Sequence, residues 1–420
     1  MPEGKDLYCA LAFNSISFGS HGGSRPCCAV DTYFWSEIEN RLPQYDNKVI
    51  NWFNNERIVS LRKDLLNKKW NPICNMCRTR EQHGQASTRE IFNYTLSEIE
   101  KNTERSWRNN DPIINNLNDI FLLDITVGNK CNSACLMCNS SASSLWAKEQ
   151  EEITGTPAWH GPDINWFSEE HVPELIDHLP NLKAIQFAGG EPTISEPHIF
   201  LLKRLIEQNR AKDITLGYVT NLTGISDELL ELWDHFNTKH ITVSIDGVGS
   251  VNEYQRFPFT WKKVVSQLNQ VKTISKERGN YHIGLSHTIT SLNILKFDEL
   301  IKWWELQVNE GCGILSSLPH IQCVTNPSHL DPVYMPKEMK KDVNEMLYNF
   351  EYYLKDHNLI SKYKSAIDNI RTNVLNREIA DEVHNNEWNK LRDFVQPLDK
   401  YRNRHILEYL PYMKKYWKFR

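Results

Sequence analysis

The chain has 420 residues, 40% of them hydrophobic, and a formal net charge of -5. That length allows two or three domains with packed cores. The pI near 6.3 excludes a protein that holds nucleic acid by bulk positive charge and leaves only local basic patches, such as Lys414 to Arg420. No apolar run approaches the roughly eighteen residues of a membrane span, and the start MPEGKDLYCALAF lacks a basic region followed by a long apolar one. A cytoplasmic protein with no membrane partner is expected.

The 10 cysteines argue, in a reducing compartment, for metal or redox use rather than disulfides. Cys9, Cys27, Cys28, Cys74 and Cys77 precede residue 80, Cys131, Cys135 and Cys138 follow, and Cys312 and Cys323 stand outside as packed thiols. In chain order, Leu7 to Phe18 is rich in strand formers, Gly19 to Gly23 supplies a turn, and Arg25 to Tyr33 returns, which predicts a hairpin. It carries Cys9 near its start and Cys27 and Cys28 near its end. Helical spacing of apolar residues predicts a helix over Lys48 to Leu66, delivering the chain to Cys74 and Cys77. Four thiolates converging there suit a zinc ribbon or a fully protein-ligated iron–sulfur cluster, and spacing leaves the two open. Adjacent strand residues face opposite ways, so one of Cys27 and Cys28 faces the metal and the other the interior.

Residues 90 to 118 read as a polar, Asn-rich connection. Strand-like and helix-like runs then alternate. The pairs are Phe121 to Val127 with Ser140 to Glu152, Lys183 to Phe187 with Pro197 to Asn209, and Asp213 to Val219 with Asp227 to Phe236. Ile241 to Ile245 with Trp261 to Ser275 and His282 to Thr290 with Phe297 to Leu306 continue the series, and Gly313 to Ser316 closes it. Such repeats imply an α/β fold, a parallel sheet under helices whose short apolar strands are buried on both faces. Beyond residue 326, Lys337 to Leu354, Ile360 to Asn376, Asn385 to Phe394 and Asp399 to Glu408 read as a helical extension. The expected division is a cysteine-rich module with its linker over 1–100, a core over 119–325 and the extension over 326–420.

Cys131, Cys135 and Cys138 follow the first strand of that core. A structural zinc wants four protein ligands, so three thiols need His160 or a distant cysteine to complete one. A four-iron cluster on three thiolates instead keeps one iron open to another ligand. Gly189-Gly190-Glu191-Pro192 ends the second strand, where glycines let backbone approach a ligand and a carboxylate can take an ammonium. Alone it is also an ordinary tight turn. Thr220 and Asn221 follow the third strand, Ser244 and Asp246 close the fourth, and Thr288 and Thr290 end the fifth, while His320 and Gln322 follow the sixth and could face substrate. Loops at the carboxyl ends of parallel strands are where such sheets carry their chemistry.

The Cys-x3-Cys-x2-Cys spacing and the GGEP turn together resemble the radical S-adenosylmethionine (SAM) superfamily, with Met137 where that family usually has an aromatic residue. The resemblance implies a partial (βα)6 TIM-like barrel and a SAM-binding 4Fe-4S cluster on Cys131, Cys135 and Cys138. Its open iron takes the amine and carboxylate of SAM. Reductive cleavage then yields a 5′-deoxyadenosyl radical that abstracts hydrogen from a substrate. It further implies Gly189, Gly190, Glu191 and Pro192 at the SAM amino group, and Thr220, Asn221, Ser244 and Asp246 along its ribose and methionyl portions. Arg256 either pairs with the SAM carboxylate or forms a surface ion pair.

The N-terminal cysteines resemble the twitch or SPASM modules that carry auxiliary 4Fe-4S clusters, though such modules usually follow the catalytic domain. The likeness runs through Gly22-x4-Cys27 and Cys74-x2-Cys77-x3-Glu81-x2-Gly84-x2-Ser87-x-Arg89. It implies Cys9, Cys27, Cys74 and Cys77 as ligands, with zinc the alternative metal. The implied partners are an electron donor such as flavodoxin or ferredoxin and a peptide or protein substrate, with a small metabolite or RNA as runner-up. A zinc-stabilised binding scaffold is the reading from another class. The sequence nominates no catalytic acid, base or hydrogen donor.

Overall fold

The computed structural model describes residues 6–30, 48–82, 86–103, 105–158, 161, 164, 166–310 and 319–417. The strands among them are, in chain order, β1 (Ser15–Phe18), β2 (Ser24–Arg25), β3 (Leu122–Thr126), β4 (Ala134–Cys135) and β5 (Ala184–Ala188). They continue with β6 (Thr215–Thr220), β7 (Thr238–Ser244), β8 (Arg256–Phe257), β9 (Tyr281–Ile289) and β10 (His320–Cys323). Two compact units form, one from residues 1–130, 163–218 and 226–239, the other from 131–162, 219–225 and 240–420.

In the first unit, β2, β1, β3, β5 and residues 215–218 of β6 lie side by side in that order. β1 and β2 form a hairpin, and β1, β3, β5 and β6 run parallel. One sheet face packs on helices: Phe187 stacks on Tyr218, whose hydroxyl pairs with His198 Nε2 at 2.8 Å and accepts from Trp233 Nε1 at 2.9 Å. The opposite face holds a polar row, because the register sets Ser17 beside Asp124 and Asp124 beside Gln186. Ser17 Oγ donates to Asp124 at 2.7 Å. Burial pushes the Asp124 carboxyl up to about 6, although that hydrogen bond and Arg25 oppose it.

In the second unit, β10 pairs parallel with β9, and β9 neighbours β7. The short β4 and β8 form a separate antiparallel pair. The helix Ser144–Thr154 starts where Ser143 Oγ accepts the Trp146 N–H at 3.1 Å and closes at left-handed Gly155. Among the described residues, no helix is long and apolar enough to cross a membrane.

Several elements differ from expectation. The hairpin is shorter, because Ala10–Asn14 is helical and buried on all sides, where a helix satisfies its own backbone; residues 31–33 of its return lie outside the described residues. The helix over 48–66 is broken in two at Asn54 and Asn55, Asn55 capping the second part by accepting from Arg57 N at 3.0 Å. Thr88–Thr103, read as connection, is a helix. Its start is a reciprocal capping box in which Ser87 Oγ accepts from Glu90 N and Glu90 accepts from Ser87 N.

β5, β7 and β9 alternate buried and more open positions instead of being buried on both faces. The closing strand expected at Gly313 to Ser316 lies outside the described residues, as does Cys312. His320 and Gln322 sit within β10 rather than after a strand, both exposed. The helices expected at 385–394 and 399–408 are one helix, Asp381–Tyr401, that passes over Pro397 near its end, followed by Ile406–Tyr409. The helix Ile360–Ile370 ends in a π turn over Arg371–Leu375.

Candidate active site

In the first unit the N-terminal cysteines meet. Cys9 precedes the helix Ala10–Asn14, Cys27 follows β2, Cys74 closes the short 3-10 turn Pro72–Cys74, and Cys77 lies on the helix Asn75–Gln82. These four line one small apolar cavity with Leu11, Leu65 and Trp70. Cys28 is not in its wall and lies near Asp124. Burial first, then the neighbouring sulfurs, pushes the thiols of Cys27 and Cys74 up, and burial pushes Cys9 to about 11. Such thiols ionise readily only against a cation or a metal.

The Glu81, Ser87 and Arg89 phrase braces this cradle. Arg89 makes a two-pronged pair with Glu81 at 2.9 and 2.8 Å, both side chains 5% exposed or less, and Ser87 Oγ donates to the same carboxylate at 2.7 Å. Arg89 Nη1 also donates to Tyr8 O at 2.9 Å, which fixes the segment leading into Cys9. Asn93, missed in the sequence, brackets that segment by accepting from Ala10 N and donating to Tyr8 O, both at 2.7 Å. Gly84 lies outside the described residues.

The GGEP turn belongs to the same unit. Gly189 has φ +116, and a Cβ there would stand 2.8 Å from Gly128 O, while one on Gly190 would collide with Lys130 O. Two glycines therefore let the loops after β3 and β5 touch backbone to backbone. Gly190 N donates to Gly128 O and Glu191 N to Lys130 O, both at 2.9 Å, and Lys130 leads directly into Cys131. Glu191 is buried and caps the turn Pro192–Ile194, accepting from Thr193 N at 3.1 Å and Thr193 Oγ1 at 2.7 Å.

In the second unit the loop 131–138 is fastened at most of its residues. Cys131 N donates to Ser144 Oγ, Ser143 Oγ to Ser133 O, Leu136 N to Gln255 O and Cys138 N to Cys135 O. Asn221 Nδ2 donates to Asn132 Oδ1 at 2.8 Å, so Asn221 holds the loop itself. Arg402 Nη2 donates to Ala134 O at 2.8 Å while paired with buried Glu149 at 2.6 Å. Neither Asn132 nor Arg402 could be found from local sequence.

β4 and β8 set Cys135 opposite Arg256. A hydrogen bond with the Cys138 thiol lowers Cys135 against its burial, aided by Arg256, and the same bond pushes Cys138 up. Arg256 is not on the surface. Its Nε stands 2.7 Å from Asp246 Oδ2, too far off line for a hydrogen bond, so the contact is ionic and buried. Burial raises the Asp246 carboxyl, but Arg256 and His287 outweigh it and hold it below the usual carboxylate value. Gln255 Oε1, Asn252 Nδ2 and both His287 ring nitrogens are buried without a hydrogen-bond partner among the described residues.

Ser244 closes β7 half-buried. Thr220 Oγ1 accepts from Leu222 N, Thr288 N donates to Asp246 Oδ1, and Thr290 N donates to Asn293 Oδ1. Beside Cys138 opens an apolar cavity of about 400 Å³ walled by Trp146, Ile153, Phe394 and Pro397. His160 lies outside the described residues. Among the described residues no three His, Cys, Asp or Glu side chains stand in the geometry of a single metal ion. Three soft thiols on one fastened loop, one of them beside a fixed guanidinium, are a donor set of the kind that holds iron or zinc.

Residues 125–303 match the Radical SAM superfamily. Over that segment the chain is similar to a radical SAM catalytic domain, and its fold is α/β, a parallel sheet with extra helical regions. Among curated proteins the chain is 27% identical over 143 residues to Flap endonuclease Xni of Shewanella sediminis (strain HAW-EB3), 30% of this chain and 51% of that protein. The chain thus spans about half the length of the curated relative it matches.

Among solved structures it is similar to native anSMEcpe with bound AdoMet, with 18% identity, a TM-score of 0.38, and coverage of 57% of this chain and 62% of that one. It is also similar to Streptococcus suis SuiB bound to S-adenosylmethionine (14%, TM-score 0.35, 57% and 45%) and SuiB bound to the precursor peptide SuiA (13%, TM-score 0.35, 76% and 67%).

Proposed function

We propose that this chain is a radical SAM enzyme that modifies a peptide or protein, with an auxiliary 4Fe-4S cluster in its N-terminal cradle. The carrying observation is the fastening of Cys131, Cys135 and Cys138 on one loop within a segment that matches the superfamily. The cluster and SAM together supply a reactive 5′-deoxyadenosyl radical once an electron donor such as flavodoxin or ferredoxin has reduced the cluster.

The chain's own residues do the rest. The three thiolates hold the cluster and leave one iron open, and Asn221, Ser143 and Arg402 keep their loop from shifting. By its motif, the GGEP turn would offer backbone to the cofactor's amino group. Asn221, Ser244 and Asp246 bound its ribose and methionyl side, with Arg256 nearby. Cys9, Cys27, Cys74 and Cys77 hold the auxiliary cluster; zinc there is the alternative the metal analysis must exclude. In this division residues 1–100 supply the auxiliary site, 119–325 the catalytic core and 326–420 the supporting helices. The peptide assignment rests on the twitch-like cysteine phrase.

The test is anaerobic reconstitution of the full chain. Iron and sulfide should bind at both sites, and the dithionite-reduced protein should convert SAM to methionine and 5′-deoxyadenosine. Stoichiometric zinc and no cleavage would instead identify a zinc-stabilised scaffold.

A further inference from the structure

The sequence offers Arg256 a place at the carboxylate of SAM, but its surroundings give it another task. β8 is only two residues long, and its pairing with β4 lays Arg256 directly across from Cys135. The guanidinium presents Nη1 to Cys135 Sγ at 3.6 Å and Nε to Asp246 Oδ2 at 2.7 Å.

Asp246 is a rigid anchor. It is wholly buried, its Oδ1 accepts from Thr288 N at 2.8 Å, its N–H donates to Asn252 Oδ1 at 2.9 Å, and its carbonyl accepts from Asn293 Nδ2 at 2.9 Å. An arginine held in this way keeps one planar face and cannot swing to a distant group without abandoning a buried carboxylate, which is costly.

A permanent cation donating to a ligand sulfur stabilises the more negative, reduced form of an iron–sulfur cluster, because hydrogen bonds to sulfur and nearby charge set the potential. In a dry site this effect is large, since Coulomb energy rises as the effective dielectric falls. The carboxylate behind the guanidinium tempers the charge while aiming it.

We propose that Arg256, aimed by Asp246, is a positioning residue that donates to the Cys135 sulfur and raises the reduction potential of the iron–sulfur cluster held there. This rests on the reading above that Cys131, Cys135 and Cys138 carry such a cluster. Asp246 accordingly acts through Arg256 in addition to bounding the cofactor's polar side.

The experiment is an EPR-monitored redox titration of the full-length, anaerobically reconstituted protein without SAM, with iron and sulfide assayed alongside. Arg256→Gln should lower the midpoint potential, Arg256→Lys should lower it less because the charge stays but the planar donor is lost, and Asp246→Asn should raise it. Opposite signs in the arginine and aspartate variants cannot come from a shared loss of packing. If Arg256→Gln loses its iron, the Lys and Asn pair carries the same comparison.

Unmoved midpoints in variants that keep wild-type iron, with weakened SAM binding by equilibrium dialysis, would return Arg256 to the cofactor carboxylate and overturn the proposal. Shifts of one sign in all variants would also overturn it. Wild-type protein without any reducible cluster would sink the functional reading together with this one.

Discussion

The two cysteine sites solve different problems with the same side chain. In the first unit four thiols line a closed cavity, and the fixed charge beside them, Arg89, is spent on Glu81 and on the carbonyl of Tyr8. In the second unit three thiols sit on one loop, and the fixed charge, Arg256, reaches a sulfur itself. Closure with a neutralised arginine suits a centre that stores or passes electrons. Three thiols on a loop beside an arginine aimed at sulfur suit the reacting centre proposed above.

That contrast can be broken most severely at Cys135. Cys135→Ala should abolish SAM cleavage, measured as 5′-deoxyadenosine by chromatography, while roughly half the iron stays bound at the other site. Cleavage at the wild-type rate would refute the assignment of the loop. The mirror variant, Cys74→Ala, should lose the other half of the iron yet retain substrate-free SAM cleavage; loss of both clusters together would mean the sites are not separable.

Below these, the brace of the closed site should show in stability. Glu81→Gln strands a buried arginine and should destabilise the metal-free protein by about 3 kcal/mol in a denaturant titration, as expected when one partner of a buried pair is removed. No change would mean that water reaches the pair in solution.

Asp124 offers a smaller effect with a definite pH sign. Its carboxyl is raised by burial to about 6, so between its unfolded value near 3.9 and 6 the folded state keeps a proton that the unfolded state loses. Stability therefore falls as pH rises through that window, and the penalty is complete above it. Asp124→Asn should gain roughly 2–3 kcal/mol at pH 8 and little near pH 4, by paired unfolding curves. A gain that persists at low pH would point to packing instead. The smallest effect is expected at Ser143→Ala, which removes the cap of the helix after the loop and should cost about 1 kcal/mol.

Much of the site was legible because it is local. The three-cysteine loop, the GGEP turn and the Glu81, Ser87 and Arg89 phrase are short stretches, and the family resemblance rests on their spacing. The strand and helix alternation from β3 to β9 was legible for the same reason, through runs of apolar residues. The capping box of Ser87 and Glu90 was also in plain view, and the Asn-rich stretch after it hid the helix Thr88–Thr103.

What no local pattern could show are the distant fasteners. Asn93 reaches Ala10 across 83 positions, and Arg402 reaches Ala134 across 268. A two-residue strand such as β8 carries no periodicity at all, so the meeting of Arg256 with Cys135 waits for coordinates.

The grip of Arg402 on the Ala134 carbonyl has a consequence for how the molecule is made. Translation delivers the loop long before this clasp, so of its fasteners the one on the Ala134 carbonyl is the last to be made, once position 402 has emerged. The loop is therefore complete in sequence well before it is complete in structure.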